Sequence, residues 1–400
     1  MWESKLPNKF HCTGCMACHD ACPKSCISFQ IGNDGHFVHK IDSGKCIHCH
    51  MCEKSCPVLT LQKALSKQSK PWAAWTPDDT LRLLSSSGGV FAEIAKEFLQ
   101  KGGIAAGAAI SGTNIIHIAI SDIADLYKLQ GSKYLQSDTC GIYRAVINLL
   151  NSGKKVLFSG TGCQVAAIYN IVPKKLWNNL YTIDLICHGV PSRFDLEIFL
   201  NHLPKKVITI KSFRDKSWRF GYAMTCIAND GSILREDDNY FYAAFNNNKT
   251  LRWSCYNCPF KTGLERRSDI TIGDYWGAKG YDEQTKKGLS LCITHSNKGE
   301  QLLHETKIQC HELQWHEAIE CNKDYYHPLN LFKFNPLRWI YPYAVKHFTY
   351  LMMKRAYGSQ GITTPMFFPL RLLDAVFQHF NYQYSIKSYK QILCKERRRQ

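Results

Sequence analysis

Cys12-Thr13-Gly14-Cys15-Met16-Ala17-Cys18-His19-Asp20-Ala21-Cys22-Pro23 and Cys46-Ile47-His48-Cys49-His50-Met51-Cys52-Glu53-Lys54-Ser55-Cys56-Pro57 decide how this chain is read. Both runs follow the pattern C-x2-C-x2-C-x3-C-P, and the second repeats the first 34 residues further on. Bacterial ferredoxins use this spacing, with the fourth cysteine of each run crossing to the cluster of the other. The pattern assigns Cys12, Cys15, Cys18 and Cys56 to one 4Fe–4S site and Cys46, Cys49, Cys52 and Cys22 to a second. Gaps of two residues let a tight loop turn three sulfurs toward one point and aim backbone N–H groups there. Pro23 and Pro57 then lead the chain away without needing a donor. Zinc also uses C-x2-C, but it rarely needs eight cysteines in duplicated order. Cys26 lies outside the pattern and reads as a small buried residue.

The chain has 400 residues and 19 cysteines. No apolar run follows a basic start, so no secretory leader is expected. No stretch of about 18 uninterrupted apolar residues predicts a spanning helix. The expected setting is cytoplasmic, where thiols stay reduced and clustered cysteines read as metal ligands rather than disulfides. Net charge is +17, and residues 331–400 hold twelve Lys or Arg against Asp374 and Glu396, a local +10.

Residues 1–66 form a small α+β ferredoxin-like unit, and Gln68-Ser69-Lys70-Pro71 reads as a linker. Beyond it, strands alternate with helices, which predicts an α/β fold with a mixed sheet. Val90, Phe91, Ile94, Phe98 and Leu99 make a helical apolar stripe, opened by Ser85-Ser86-Ser87-Gly88-Gly89 and stopped by Gly102-Gly103. Residues 104–110, 115–120, 155–158, 181–186 and 270–272 read as strands. Residues 139–151 and a segment starting at Cys163 read as helices, and Ser192 with Asp195 reads as a helix cap. Residues 207–250 look β-rich and irregular. Residues 321–400 read as a basic aromatic helical tail, with amphipathic helices over 340–357 and 371–384. Such a tail can wrap the domain and leave a solvated basic end. It can also make peripheral contact with the inner face of a membrane. No recognition motif points to nucleic acid, and none is expected as a partner.

A second set of cysteines lies in the α/β region. Cys163 follows a strand and opens a helix, where N–H groups and the helix dipole favour a thiolate. Cys187 ends another strand, and Cys255-Tyr256-Asn257-Cys258 adds a C-x2-C pair. If the two strands are parallel neighbours, both thiols reach one edge of the sheet, where open α/β sheets bind ligands. The four could hold a third 4Fe–4S cluster or a zinc ion. Ser87-Gly88-Gly89 at a helix start suits a flavin diphosphate, or is simply a loop that caps the helix. No G-x-G-x-x-G follows a strand, so the usual dinucleotide fingerprint is missing.

The ordered motifs Ser86-Ser87-Gly88-Gly89, Gly131-Ser132-Lys133-Tyr134, Gly160-Thr161-Gly162-Cys163-Gln164, Ile186-Cys187-His188-Gly189-Val190-Pro191, Phe213-Arg214-Asp215, Cys255–Cys258 and Ser268–Asp274 resemble the β-subunit family of coenzyme F420 hydrogenases and dehydrogenases. The resemblance spans about residues 1–320 and divides the region into 71–147 and 148–320. It implies a non-Rossmann flavin domain binding FAD beside a 4Fe–4S cluster. Carried over by motif, Cys163, Cys187, Cys255 and Cys258 ligate that cluster, and Ser87, Gly88, Gly89, Lys133, Thr161 and Gln164 lie at the flavin. Relatives often carry Pro where Gly162 stands and Arg where Gln130 stands. They also occur beside surface-polysaccharide genes, which implies a role in modifying a polysaccharide precursor.

The expected function is an iron–sulfur flavoprotein oxidoreductase. Its electron donor or acceptor would be reduced ferredoxin, NAD(P)H or a deazaflavin, and its other partner a small-molecule substrate. His188 is the candidate proton donor, because an imidazole titrates near neutrality; the alternative is a hydrogen-bonded loop histidine. The rival function is an electron-transfer subunit that lends electrons to a partner enzyme.

Overall fold

The two cysteine runs fold alike because each turns at the same two places. Gly14 and His48 have φ of 68° and 54°, and Met16 and His50 have 59° and 58°. Left-handed backbone at a residue with a Cβ costs roughly 1–2 kcal/mol, and here it curls successive N–H groups into an anion-binding concavity. Short helices follow at Ala17–Ala21 and Met51–Ser55. The hairpin of β1 (Ile27–Ile31) and β2 (Phe37–Ile41) lies between them. The computed structural model describes residues 4–60, 69–218, 221, 223–236, 240–261, 266–320, 322 and 336–358.

The rest is a mixed α/β fold on a large sheet. Its strands are β3 (Lys70–Trp75), β4 (Ile104–Ser111), β5 (Asn114–Ile120), β6 (Val156–Thr161), β7 (Leu180–Leu185), β11 (Ile270–Asp274), β12 (Ser290–Thr294) and β13 (Gln309–Glu312). They lie in the order β13-β3-β12-β11-β7-β6-β4-β5. The centre, β4-β6-β7-β11, is parallel, and antiparallel strands flank it. Side chains alternate between the faces. Ala105, Leu157 and Ile183 pack beneath the helix Val90–Gln100. Ala106, Val156 and Phe158 pack beneath Ile142–Asn151 and Gly162–Ile171.

A smaller sheet, β10-β9-β8, is built from β8 (Val207–Ser212), β9 (Met224–Ala228) and β10 (Ile233–Glu236). Its core also takes the helices Arg193–His202, Tyr240–Asn246 and Pro336–His347. Asp195 is buried there and accepts hydrogen bonds from the hydroxyls of Tyr240 and Tyr341, the latter at 2.7 Å. Burial pushes its carboxyl up to about 6.

Several expectations change. Lys70 and Pro71 of the expected linker belong to β3, which lies between β12 and β13 despite Pro71, and position 68 lies outside the described residues. Pro71 keeps its acceptor in use, since Leu313 N–H donates to its carbonyl at 2.9 Å. Residues 240–246 are helical, not β. The helix expected from 139 starts at Ile142, after Gly141 at φ 90°. The first part of the tail is core: Leu337, Tyr341, Ala344, Met353 and Tyr357 are buried. The helix expected over 371–384 and the basic end lie outside the described residues. Among those described, no helix is long and apolar enough to cross a membrane.

The ferredoxin-like unit is clasped to the large sheet. Gly141 caps the helix Ile142–Asn151 without a side chain, and Asp20 supplies the missing acceptor. Its Oδ1 takes the Gly141 N–H at 2.7 Å, and its Oδ2 takes the Tyr143 N–H at 2.9 Å. In return, Arg144 donates to the carbonyls of Asp20, His19 and Cys22 at 2.6, 3.0 and 2.7 Å, closing the end of Ala17–Ala21. Asp20→Ala removes a buried cap and is expected to lower stability by about 1–2 kcal/mol in a urea titration. An unchanged midpoint would mean that the clasp contributes nothing.

Candidate functional site

The eight cysteines of the two runs sort into two groups in space. Cys12, Cys15, Cys18 and Cys56 line one small cavity, together with Met16, Phe29 and His39. Cys22, Cys46, Cys49 and Cys52 line another, together with Cys26, Ile27 and Ile41. These are the crossed sets expected from the spacing. Cys26, which the spacing leaves outside both sets, is buried and borders the second cavity, its sulfur 3.3 Å from that of Cys22.

The chemistry of the thiols suits a cationic cluster core. Burial pushes Cys15 up to about 12 and raises Cys18, Cys52 and Cys56, with neighbouring thiols adding to each. Burial opposes ionisation of Cys12 as well, but a hydrogen bond from His39 and the charge of Arg252 bring it below the usual thiol value. Thiols crowded in this way keep their protons until a metal charge displaces them. Among the described residues no three His, Cys, Asp or Glu side chains close on a single ion.

The second constellation forms at the carboxyl edge of the parallel strands. Thr161 of β6 stands opposite Leu185 of β7 in a parallel pair. Cys163 and Cys187 each lie two residues beyond, so they emerge side by side. Cys255 and Cys258 come from the turn Trp253–Asn257 and its end. Burial raises Cys163, and the charges of Cys258, Cys15 and Cys187 add to it. Burial and Cys258 push Cys255 up to about 11, and Cys258 rises for the same reason with Cys187 beside it. The four cysteines are therefore electrostatic neighbours, and Cys15 of the first run is close enough to act on Cys163.

Gln164 and Thr161 hold the start of the Cys163 helix. The Gln164 Oε1 accepts from the Thr161 N–H at 2.9 Å, and its Nε2 donates to Ser137 Oγ at 2.9 Å. The Thr161 hydroxyl lies 3.1 Å from the Cys163 sulfur. Arg252, which belongs to no sequence motif, ties this quartet to the first run. It is buried, donates to the carbonyls of Cys12 (3.1 Å) and Phe37, and reaches Gln136 Oε1 at 3.3 Å. A Cβ on Gly14 would sit 2.4 Å from its Nη2.

A cavity of about 630 Å3 opens against the quartet, within the range of cofactor sites. Ser87, Gly89, Lys133, Thr161 and Gln164 line it, as do Cys187 and His188. Gly88 does not line it; it is pressed between the Ala74 carbonyl and Ser290, where a Cβ would meet atoms at 2.5 and 2.9 Å. The helix Val90–Gln100 starts at this wall with no side-chain cap. Lys133 donates to the Gln130 carbonyl at 2.7 Å, and burial pulls its amine down to about 7. His188 packs edge-on against Phe245 at 4.9 Å. Arg214 and Asp274 form an ion pair at 2.6 Å on the same lining. Both residues lie in sequence motifs, but their pairing comes only from the meeting of the loop after β8 with the end of β11.

Residues 153–317 match the family model for the C terminus of the beta subunit in coenzyme F420 hydrogenase/dehydrogenase. Residues 11–59 match a 4Fe-4S dicluster domain. No curated protein matches the chain. Among solved structures, it is similar to a chain of the F420-reducing NiFe hydrogenase complex from Methanosarcina barkeri, studied as a xenon derivative. That chain is 16% identical, the match covers 71% of this chain and 90% of that one, and the TM-score is 0.42.

Lys133 gives the cavity a pH signature. Its amine is held from the usual 10.5 to about 7 in the fold. Between these values the unfolded chain binds more protons, so stability rises with pH across the interval. Lys133→Met is expected to raise the melting temperature of the protein at pH 7, with a gain that shrinks toward pH 10. The same substitution is expected to weaken retention of an anionic cofactor. A gain independent of pH would rule out the buried amine as its source.

Proposed function

We propose that this chain, which belongs through residues 153–317 to the coenzyme F420 hydrogenase/dehydrogenase β-subunit family and carries a 4Fe–4S dicluster domain at residues 11–59, is an iron–sulfur flavoprotein oxidoreductase. Cys12, Cys15, Cys18 and Cys56 hold one 4Fe–4S cluster, and Cys46, Cys49, Cys52 and Cys22 hold the second. Cys163, Cys187, Cys255 and Cys258 hold a third, and the adjoining cavity takes FAD. One observation carries this reading. A single cavity of about 630 Å3 runs from Ser87, Gly89 and Lys133 to Cys187 and His188, so one cysteine of the second set stands in its wall.

Bound flavin exchanges one electron at a time with iron–sulfur clusters and two with an organic molecule, which makes it the junction of such a chain. The protein's own residues do the rest. The uncapped N–H groups at Gly89 and the amine of Lys133 attract a diphosphate, and an anion there returns Lys133 to its charged form. Thr161 and Gln164 keep Cys163 at the mouth of its helix. Arg214 and Asp274 present a fixed charge pair to a substrate entering the same cavity. His188, packed on Phe245, is the candidate proton donor.

Anaerobic purification with iron, sulfide, zinc and flavin analysis tests the reading. About twelve irons and one FAD per chain are expected, if each cubane holds four. About eight irons with one zinc and no flavin would sink it. Irons without flavin would leave an electron-transfer subunit that serves a partner enzyme. Cys255→Ser with Cys258→Ser is expected to remove about four irons; undiminished iron would overturn the third cluster.

A further inference from the structure

The two cysteine runs share spacing and backbone, yet their surroundings differ. Thr13, Gly14, Met16 and Ala17 of the first run are buried against the body of the protein. At the matching places in the second run stand Ile47, His48, His50 and Met51, all exposed. Ile47 is 54% exposed and Met51 45%. Cys49 between them is exposed, whereas its counterpart Cys15 is buried. Single exposed apolar side chains need no explanation. Here two stand on either side of one exposed ligand position, two residues before and two after Cys49, and Ile47 lines its cavity.

Lysines stand near these side chains. Residues 4–60 contain six lysines, Lys5, Lys9, Lys24, Lys40, Lys45 and Lys54, and all are exposed. The acids are occupied. Asp20 and Asp34 are buried, with Asp20 capping Ile142–Asn151 and Asp34 paired to Arg338 at 2.7 Å. Asp42 pairs with Lys45 at 3.3 Å, and Glu53 accepts from the Lys5 N–H at 3.1 Å and lies 3.2 Å from His50. Lys24 lines the cavity of Cys22, Cys46, Cys49 and Cys52, and Lys54 stands within the second run. Exposed apolar side chains beside Lys24 and Lys54 fit a partner whose own redox centre sits under an acidic surface. Charge then steers the encounter and the apolar contact holds it.

We propose that the surface around Ile47, Cys49 and Met51 is the docking face for a small acidic redox protein, which exchanges single electrons with this chain there. The inference rests on Cys46, Cys49, Cys52 and Cys22 holding a cluster, as argued above. One electron leaves the reduced partner and one is gained by this chain, with no bond or proton changing hands. The buried first run packs against the helices Ile142–Asn151 and Gly162–Ile171, the second of which carries Cys163, so the exposed run is the outer end of the path.

The test uses the full chain, purified anaerobically with its iron. The probes are a small acidic 2Fe–2S ferredoxin, a basic c-type cytochrome and anionic lipid vesicles. Iron per chain and the dithionite-reduced spectrum are read first; absent iron in the unmutated protein removes the ligand assignment and the docking face together. With iron present, the ferredoxin is expected to bind at low salt and to weaken at least about tenfold by 0.3 M salt, as screening shortens the range of charge. Ile47→Asp with Met51→Glu is expected to weaken binding at least about tenfold while iron is kept. Lys24→Glu with Lys54→Glu, which leaves the loop tip intact, is expected to do the same. Unchanged ferredoxin affinity in the lysine pair, equal affinity for the cytochrome, or tighter binding to vesicles than to ferredoxin would each overturn the docking face.

Discussion

Arg252 is a guanidinium with almost no access to water, and such a group is tolerated only where its donors are met. Its donors are met by the Cys12 and Phe37 carbonyls of the ferredoxin-like unit and by Gln136 of the body. It stands three residues before Cys255, and Ser254 beside it also donates to the Cys12 carbonyl, at 3.0 Å. The loop that presents one set of cysteines and the turn that presents the other are therefore parts of a single hydrogen-bonded knot. Neither can drift without stranding a buried charge. The Asp20–Arg144 clasp repeats this on the far side of the loop. Further polar ties, from Gln136 to the Gly14 carbonyl and from Thr139 and Tyr143 to the Cys15 carbonyl, add to these two.

This arrangement explains which parts are legible in the sequence. The crossed grouping of Cys22 and Cys56 is legible because a strict spacing leaves a tight loop few ways to turn. The juxtaposition of Cys163 and Cys187 is legible as a condition, and the parallel pairing of β6 and β7 meets it. Ser87, Lys133 and Thr161 come from motifs and line one cavity. Arg252 and Asp20 are not legible, since a single charged residue carries no pattern. Their meaning depends on a partner more than a hundred residues away.

The same limit accounts for the places where the fold departs from expectation. Lys70–Trp75 sits beside a proline and a polar stretch, so local signals suggest a linker; its place in the sheet comes from β12 and β13, which are far along the chain. Residues 336–358 resemble a separate amphipathic tail because their aromatics are interleaved with charge. In the fold Tyr341 turns inward to Asp195, and Arg338 turns inward to Asp34. What reads as a basic, aromatic surface segment is partly the lid of the smaller core.

The left-handed positions of the two runs carry a further consequence. Gly14 and His48 occupy the same conformation, but only one has room to grow. Above Gly14 lies the Arg252 guanidinium, whereas His48 stands in solvent. The duplicated loops are therefore interchangeable in one direction only. The compact Thr13-Gly14 tip fits the outer position without conflict, but the bulkier Ile47-His48 tip has no room at the inner one. The two loops form a pair with a fixed inside and outside, set by the room left for one side chain.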